Sequence, residues 1–269
     1  MWPVDDSPDL ADSQGISLGR SRPPGLPALS FLDRTLPGID ANLALDEALL
    51  QGAEDGRGGP VLRLWELPDF AVVLGASGRF RDEVRVESCE ADGVPIARRS
   101  SGGGTVVIGP GALNVAVVLP IDAAPGLDAV DVAQKFVLGR VADGLRAAGR
   151  PVEMLGSGDL TLSLRKCSGS AQRRLKRHFL VHATILYAFP LDRLGRYLGP
   201  PSRQPSYRAG RSHGDFVTNL GLDRARLVQA IRDAWLPRDR PPIEAVVHEE
   251  LVRELVATKF GDPAWVRRL

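Results

Sequence analysis

The stretch V-P-I-A-R-R-S-S-G-G-G-T-V-V-I-G-P-G-A-L-N-V-A-V-V-L-P, residues 94 to 120, decides how the rest of the chain is read. Apolar, β-branched runs flank Gly102-Gly103-Gly104 and again flank Gly109-Pro110-Gly111, so the pattern predicts strand, tight turn, strand, second turn, strand. Two turns so close together imply a small sheet folded around something. A loop of consecutive glycines carries no side chains, so a ligand can lie directly on backbone N–H groups. Arg98, Arg99, Ser100 and Ser101 bring cations and hydroxyls to the same place. The stretch therefore reads as a seat for a phosphate or carboxylate, or else as a plain glycine-rich hairpin.

Upstream, Asp40 to Ala53 has the helical spacing Leu43, Asp46 or Glu47, Leu50, with Asp40 placed to cap. The runs V-L-R-L-W-E from Val61 and F-A-V-V-L-G from Phe70 predict a β-hairpin with Trp65 near its bend, and Asp82 to Asp92 a short helix ending at Gly93. Downstream, Asp128 to Ala148 predicts the longest helix. Strands are expected at Val152–Leu155, Asp159–Arg165 and Phe179–Phe189, with the basic stretch K-C-S-G-S-A-Q-R-R-L-K-R as a turn region between the last two. Leu222–Trp235 and Ile243–Phe260 read as amphipathic helices. Residues 1–28, dense in Pro, Gly, Ser and Asp, read as a flexible segment, and residues 29–269 as a single domain with a helical C-terminal part.

Composition narrows the function classes. A formal net charge of +1 gives no global basic field for nucleic acid. The only cysteines, Cys89 and Cys167, make neither a disulfide framework nor a metal-ligand spacing, and His178, His182, His213 and His248 show no metal-like spacing. No apolar run approaches the roughly eighteen residues of a membrane span, and no charged-then-apolar leader is present, so the expectation is a cytoplasmic protein away from membranes.

Three segments, in order, resemble the group of lipoate-protein ligases, lipoyl or octanoyl transferases and biotin-protein ligases: N-L-A-L-D-E-A-L-L with L-R-L-W-E and V-V-L-G; R-R-S-S-G-G-G; and D-L-T-L-S-L-R-K-C-S-G-S-A-Q-R-R followed by H-A-T-I-L. The likeness runs from about Phe31 to Phe189, with a weaker echo in K-F-G-D-P-A-W-V-R-R. It implies an α+β fold, a mixed, largely antiparallel sheet packed with helices. It makes Lys166 the catalytic lysine that reaches an activated acyl carbonyl and its phosphate. Arg98, Ser101 and the glycines Gly102, Gly103 and Gly104 would line an acyl-adenylate pocket, with Asn114 in a bordering strand, Ser168 and Gly169 beside the lysine, and His182 nearby. Read without the likeness, Lys166 is a solvated strand-end lysine and His182 a structural histidine. The likeness further implies ATP, with Mg as its counter-ion, and lipoate or octanoate as substrates. The acyl acceptor would be a lysine on the lipoyl carrier domain of a 2-oxoacid dehydrogenase or on a glycine-cleavage H-type protein.

The chain also departs from the family pattern. Lipoate ligases commonly follow the glycine loop with an aromatic-His-Asp turn, where this chain has V-V-I-G-P-G-A-L-N. The cysteine-dependent transferases place a thiol ahead of the lysine-bearing strand or just ahead of the position of His182, and P-V-E-M-L-G-S-G-D and His178 to Val181 contain none. Cys167 is the remaining candidate nucleophile, although neighbouring residues of a strand face opposite ways, which separates it from Lys166. Cys89 reads as a small buried hydrophobe. An ATP-dependent ligase, a cysteine-dependent transferase and a catalytically silent acyl-binding relative all remain open on the sequence.

Overall fold

The structure, a computed structural model, describes residues 26–199, 204–239 and 241–269. The expected flexible segment therefore lies, up to residue 25, outside the described residues. Leu26, inside that expected segment, and Leu29, just beyond it, are buried.

In chain order the elements are β1 (Ser30–Asp33), α1 (Ile39–Glu54), β2 (Val61–Trp65), β3 (Ala71–Leu74), α2 (Phe80–Glu83), α3 (Val86–Ala91), β4 (Ile96–Arg98), β5 (Val106–Ile108) and β6 (Ala112–Pro120). There follow α4 (Val130–Ala147), β7 (Glu153–Leu155), β8 (Asp159–Leu162), β9 (Arg165–Arg174), β10 (His178–Leu186) and α5 (Asp192–Tyr197). After a 3-10 turn at Ser206–Arg208 come α6 (His213–Phe216), α7 (Arg224–Trp235), β11 (Ile243–Glu244), α8 (Glu249–Leu255), a π-helical turn (Val256–Phe260) and α9 (Pro263–Val266).

The main sheet has eight strands in the order β11-β1-β2-β6-β10-β9-β8-β7, and a second sheet has three, β4-β3-β5. Among the described strands, β1 pairs in parallel with β2 and β11, and β3 with β4, while the other pairings are antiparallel. Alternation along the long central strands separates two cores. Leu113, Val115, Val117 and Leu119 of β6, with Phe179 and Val181 of β10, pack against α4 and α7. Ala116, Val118 and Leu180 turn to the other face, against α1, α8 and the small sheet. Side chains this large and this buried each contribute about 1.5–3 kcal/mol.

Helix α1 is buried on more than one side, and Asp46 and Glu47 are buried along with its leucines. Gly38, at φ 78°, and not Asp40 occupies its cap. Asn42 ties the segment ahead of the helix to its first turn, donating to Leu36 O at 2.7 Å and Gly38 O at 2.7 Å and accepting from Leu36 N at 3.0 Å.

Several expectations are corrected. β2 and β3 are not a hairpin, because Leu67-Pro68-Asp69 carries the chain out of one sheet and into the other. β4 and β5 do not pair with each other across the glycine loop; both flank β3. The basic stretch from Lys166 is not a turn region but most of β9, paired along β10, and the true turn sits at Ser163-Leu164, both at positive φ (51° and 60°). Ile243 begins no helix, since β11 adds to β1 and helix starts only at Glu249.

Candidate functional site

A cleft lies between the two sheets. Its floor comes from α1 (Leu43, Asp46), one wall from the main sheet (Trp65, Asn114, His182, Thr184) and the other from the small sheet (Val73, Val106, Ile108) and the segment after β4 (Arg99, Gly104). Leu43, Trp65, Val73, Val106 and Ile108 give it an apolar lining, and Lys166 of β9 brings an ammonium to the same space. An apolar slot that also holds a fixed cation suits an amphiphile with a carboxylate head.

Lys166 is placed by an irregularity in β9. Cross-strand partners share a face, so Gly169 opposite Asp159 and Lys166 opposite Thr161 face the cleft side, while Ser168 opposite Leu160 faces α4. Between the two pairings β9 holds one extra residue, Cys167, a β-bulge that lets Lys166 and Gly169 share a face three positions apart. The ammonium of Lys166, with its side chain 31% exposed, lies 2.7 Å from Asp159 Oδ1. Tyr207 donates to Asp159 Oδ2 at 2.6 Å. Burial first, then that hydrogen bond, raises the Tyr207 hydroxyl above the ordinary phenol range. A Cβ on Gly169 would sit 2.8 Å from Lys166 Nζ, so a side chain there would displace the lysine's flexible end from its present place across the strand. Thr218 N donates to Lys166 O at 2.9 Å, closing the site from the side of α6.

Of the residues expected from the sequence, Lys166, Gly104, Asn114, Gly169 and His182 line the cleft together. Asn114 accepts from Thr184 Oγ1 at 2.8 Å. Gly103 adopts φ +86°, a conformation side chains rarely take, and Gly102 has open space where a Cβ would be. Gly102 and Gly104 present their carbonyls to Arg99 NH2 at 2.5 and 2.9 Å. Ser101 is 1% exposed and lies behind the lining, 2.6 Å from His182 Nε2.

Arg98 and Ser168, like Ser101, Gly102 and Gly103, fall outside the lining. Arg98 does not line the cleft: it is 0% exposed, and its guanidinium is spent on Gly75 O (2.9 Å), Gly78 O (2.7 Å) and Val266 O (2.8 Å). Its neighbour Arg99 has the cleft-facing position, and burial lowers the guanidinium to about 10, with Glu83 acting in the opposite direction. Ser168 is also absent from the lining. The bulge turns it to the α4 face, where its hydroxyl is buried without a hydrogen-bond partner.

The cysteines are equally informative. Cys167 is 0% exposed in the α4-side core, its thiol donating to Leu160 O at 3.3 Å. Burial pushes that thiol up to about 12 and the Cys89 thiol up to about 11. Neither can supply a thiolate to the cleft near neutral pH.

The sequence reading missed Asp46, Arg63 and Asp159. Arg63, 0% exposed on β2, donates to Asp46 Oδ1 at 2.5 Å, and Asp46 Oδ2 faces His182 Nδ1 at 3.7 Å. Burial is the largest influence on the Asp46 carboxyl and pushes it up, but the Arg63 charge and His182 outweigh it and hold it below the usual carboxylate range. A charged residue at an otherwise apolar β2 position was the available signal for this pair.

Among the described residues no group of three or more His, Cys, Asp or Glu could hold a metal ion, and no helix is long and apolar enough to cross a membrane.

A family model described as the lipoyl protein ligase A/B catalytic domain matches residues 39–235. A protein of Aeropyrum pernix that is provisionally named lipoate-protein ligase A is 34% identical over 159 residues, 59% of this chain and 58% of that relative, so the match spans less than two thirds of the relative's length. Among solved structures, the bipartite lipoate protein ligase of Thermoplasma acidophilum, studied with its E2 lipoyl domain, aligns with a TM-score of 0.73 at 24% identity over 89% of this chain and 96% of its own. A lipoate-protein ligase A bound with ATP aligns at 0.74 and 22% identity over 90% of this chain and 99% of its own. At these identities the structural likenesses establish the α+β fold.

Proposed function

Because the chain belongs to the lipoyl protein ligase A/B catalytic-domain family, we propose that it is a lipoate-protein ligase: an enzyme that activates lipoate or octanoate with ATP as the acyl-adenylate and transfers the acyl group to a lysine of a carrier domain. The observation that carries this reading is the apolar slot with the Lys166 ammonium set into it.

In the first step a carboxylate oxygen of the acyl substrate attacks the α-phosphorus of ATP and pyrophosphate leaves. In the second, the carrier's lysine amine attacks the acyl carbonyl, the bond from the acyl carbon to the phosphate oxygen breaks so that AMP leaves with the electron pair, and the amine loses a proton as the amide forms. Negative charge develops on phosphate oxygens in the first step and on the carbonyl oxygen in the second. Lys166 meets that charge, and the glycine loop between β4 and β5 adds N–H donors fixed in advance. Asp159, paired with Lys166 at 2.7 Å, and Tyr207 behind it hold the ammonium in place until substrate arrives. Mg travels with the nucleotide as its counter-ion. Leu43, Trp65 and Ile108 take the acyl chain, and burying it supplies binding energy that holds the head group in register with the lysine.

The carrier we assign is a lipoyl domain of the kind found in 2-oxoacid dehydrogenases, with an H-type glycine-cleavage protein as a further candidate. We place the activity in the cytoplasm and treat residues 29–269 as one catalytic unit. A cysteine-dependent transferase is the weaker reading, since both thiols are buried. The test is pyrophosphate release from purified protein with lipoate and ATP. Release dependent on both substrates is expected. Acyl transfer from an acyl-carrier protein without ATP would favour the transferase, and binding without turnover a silent relative.

A further inference from the structure

Along the cleft wall and behind it, five side chains from four separate stretches of sequence form one continuous polar chain. At its deep end is Arg63, a fully buried guanidinium that donates to Asn42 O at 2.8 Å, Asn42 Oδ1 at 2.7 Å and Asp46 Oδ1 at 2.5 Å. A buried arginine is costly unless its donors are matched, and here α1 meets both terminal nitrogens while Nε has no partner. The second oxygen of Asp46 has no hydrogen bond and faces Nδ1 of His182 at 3.7 Å. His182 Nε2 is 2.6 Å from Ser101 Oγ. Ser101 Oγ in turn takes the Nε–H of Arg99 at 3.0 Å, and Arg99 fastens the carbonyls of Gly102 and Gly104.

Counting protons along this chain leaves one consistent assignment. Arginine only donates and an ionised carboxylate only accepts. The imidazole nitrogen that faces Asp46 therefore carries hydrogen, because a bare lone pair would meet the carboxylate's negative charge. Ser101 already accepts from Arg99 and has one hydroxyl proton to give. His182 Nε2, bare in the neutral ring, is the group placed to take it. The direction of donation then runs from Arg99 through Ser101 and His182 to Asp46, where Arg63 meets it from the opposite side.

We propose that Asp46 and Arg63 are positioning residues, which hold His182 as its Nδ1–H tautomer and thereby fix Ser101, Arg99 and the glycine loop that receives the substrate head group. Neither needs to touch substrate with its charged atoms. Asp46 stays ionised in the interior because Arg63 and His182 together outweigh its burial. The consequence for activity rests on the ligase reading above; the tautomer itself does not.

The test is a long-range 1H–15N correlation spectrum of the imidazole side chains in the ligand-free protein at about pH 8, above the ordinary histidine range of about 6.5. The His182 signals are assigned by their loss in His182→Gln. An unprotonated Nε2 and a protonated Nδ1 are expected, and an Nε2–H tautomer in the native protein overturns the proposal. Ser101→Ala and Asp46→Asn should each shift His182 toward the Nε2–H form; an unchanged spectrum in both is equally fatal. Since Asp46→Asn strands a buried guanidinium and can fail to fold, the paired replacement Asp46→Leu with Arg63→Met serves as a second route. In that double variant kcat/KM for lipoate-dependent pyrophosphate release should fall about tenfold, the scale of a modest misplacement of the reacting groups. Native kcat/KM in the double variant would deny the pair its positioning role. Absence of pyrophosphate release in the native protein would overturn the ligase reading and leave the tautomer result standing on its own.

Discussion

The two walls of the cleft are built by different means. On the main-sheet side, β9 and β10 hold Gly169, His182 and Thr184 by regular cross-strand pairing, with Lys166 set by the bulge beside them. On the small-sheet side the glycine loop between β4 and β5 has no such ladder across it. There, Arg98 and Arg99 gather backbone carbonyls on each side of the loop, Arg98 taking Gly75, Gly78 and Val266 and Arg99 taking Gly102 and Gly104. α9 returns the contact, Trp265 Nε1 donating to Arg98 O at 2.9 Å. A wall made from a ladder places side chains, whereas a wall pinned by guanidinium ions leaves N–H groups free for a ligand.

The contrast is broken most directly at Arg98. Arg98→Met should cost about 3 kcal/mol in urea unfolding, because several buried carbonyls lose a charged donor at once. The residue that sequence likeness placed in the pocket should thus behave as a structural one. Unchanged stability with lost substrate affinity would reverse that assignment.

On the ladder side the expectation is opposite. Lys166→Ala should leave stability within about 1 kcal/mol, since the Asp159 pair is partly exposed, while acyl transfer falls roughly a hundredfold. Transfer at the native rate would remove the lysine from the mechanism.

A smaller effect is expected at Gly103. A Cβ there would lie 3.0 Å from Arg99 NH2 at φ +86°. Gly103→Val should cost about 1–3 kcal/mol of backbone strain and weaken binding of a lipoyl-adenylate analogue, measured by calorimetry. Equal affinity would place the head group elsewhere.

The smallest change is expected from the thiols. Cys89→Ala with Cys167→Ala should keep activity within about twofold, since an adenylate needs no enzyme thioester. Mass spectrometry showing a hydroxylamine-sensitive acyl adduct on the native chain, together with a dead double variant, would restore the transferase. The pH dependence has a defined sign. With its folded-state value raised to about 12 against an ordinary 9.0, Cys167 favours the fold below about pH 9, and that contribution is lost as pH rises from there toward 12. Removing the thiol should flatten the alkaline limb of the stability profile.

These comparisons also show what a sequence can carry. The glycine loop, Lys166 and the separation of Cys167 from the site were legible because each depends on local chemistry or strand alternation. Choosing between Arg98 and Arg99 required knowing where β4 ends, and that is set by its pairing with β3. β9 was hidden because its polar and small residues obscure alternation, while the pairing that makes it a strand lies on β10. The hairpin expected at Trp65 failed for a related reason: β2 and β3 are each buried throughout, and sequence does not say which neighbours bury them. Asp46 and Arg63, or Asp159 and Tyr207, meet only after the layers assemble.

The extra residue at Cys167 has a consequence for how this strand tolerates change. It acts as a phase shift in a two-beat pattern: everything before it is out of step with everything after it. A substitution at position 167 alters size or polarity but leaves the beat intact. Straightening the bulge with all its residues kept would carry Lys166 to the opposite face of the sheet, against α4, whereas deleting residue 167 would leave Lys166 two positions from Gly169 and still on its face. The lysine's address is therefore set by the bulge and the residue count together, since the odd residue keeps Lys166 on the cleft side only while the strand buckles to absorb it.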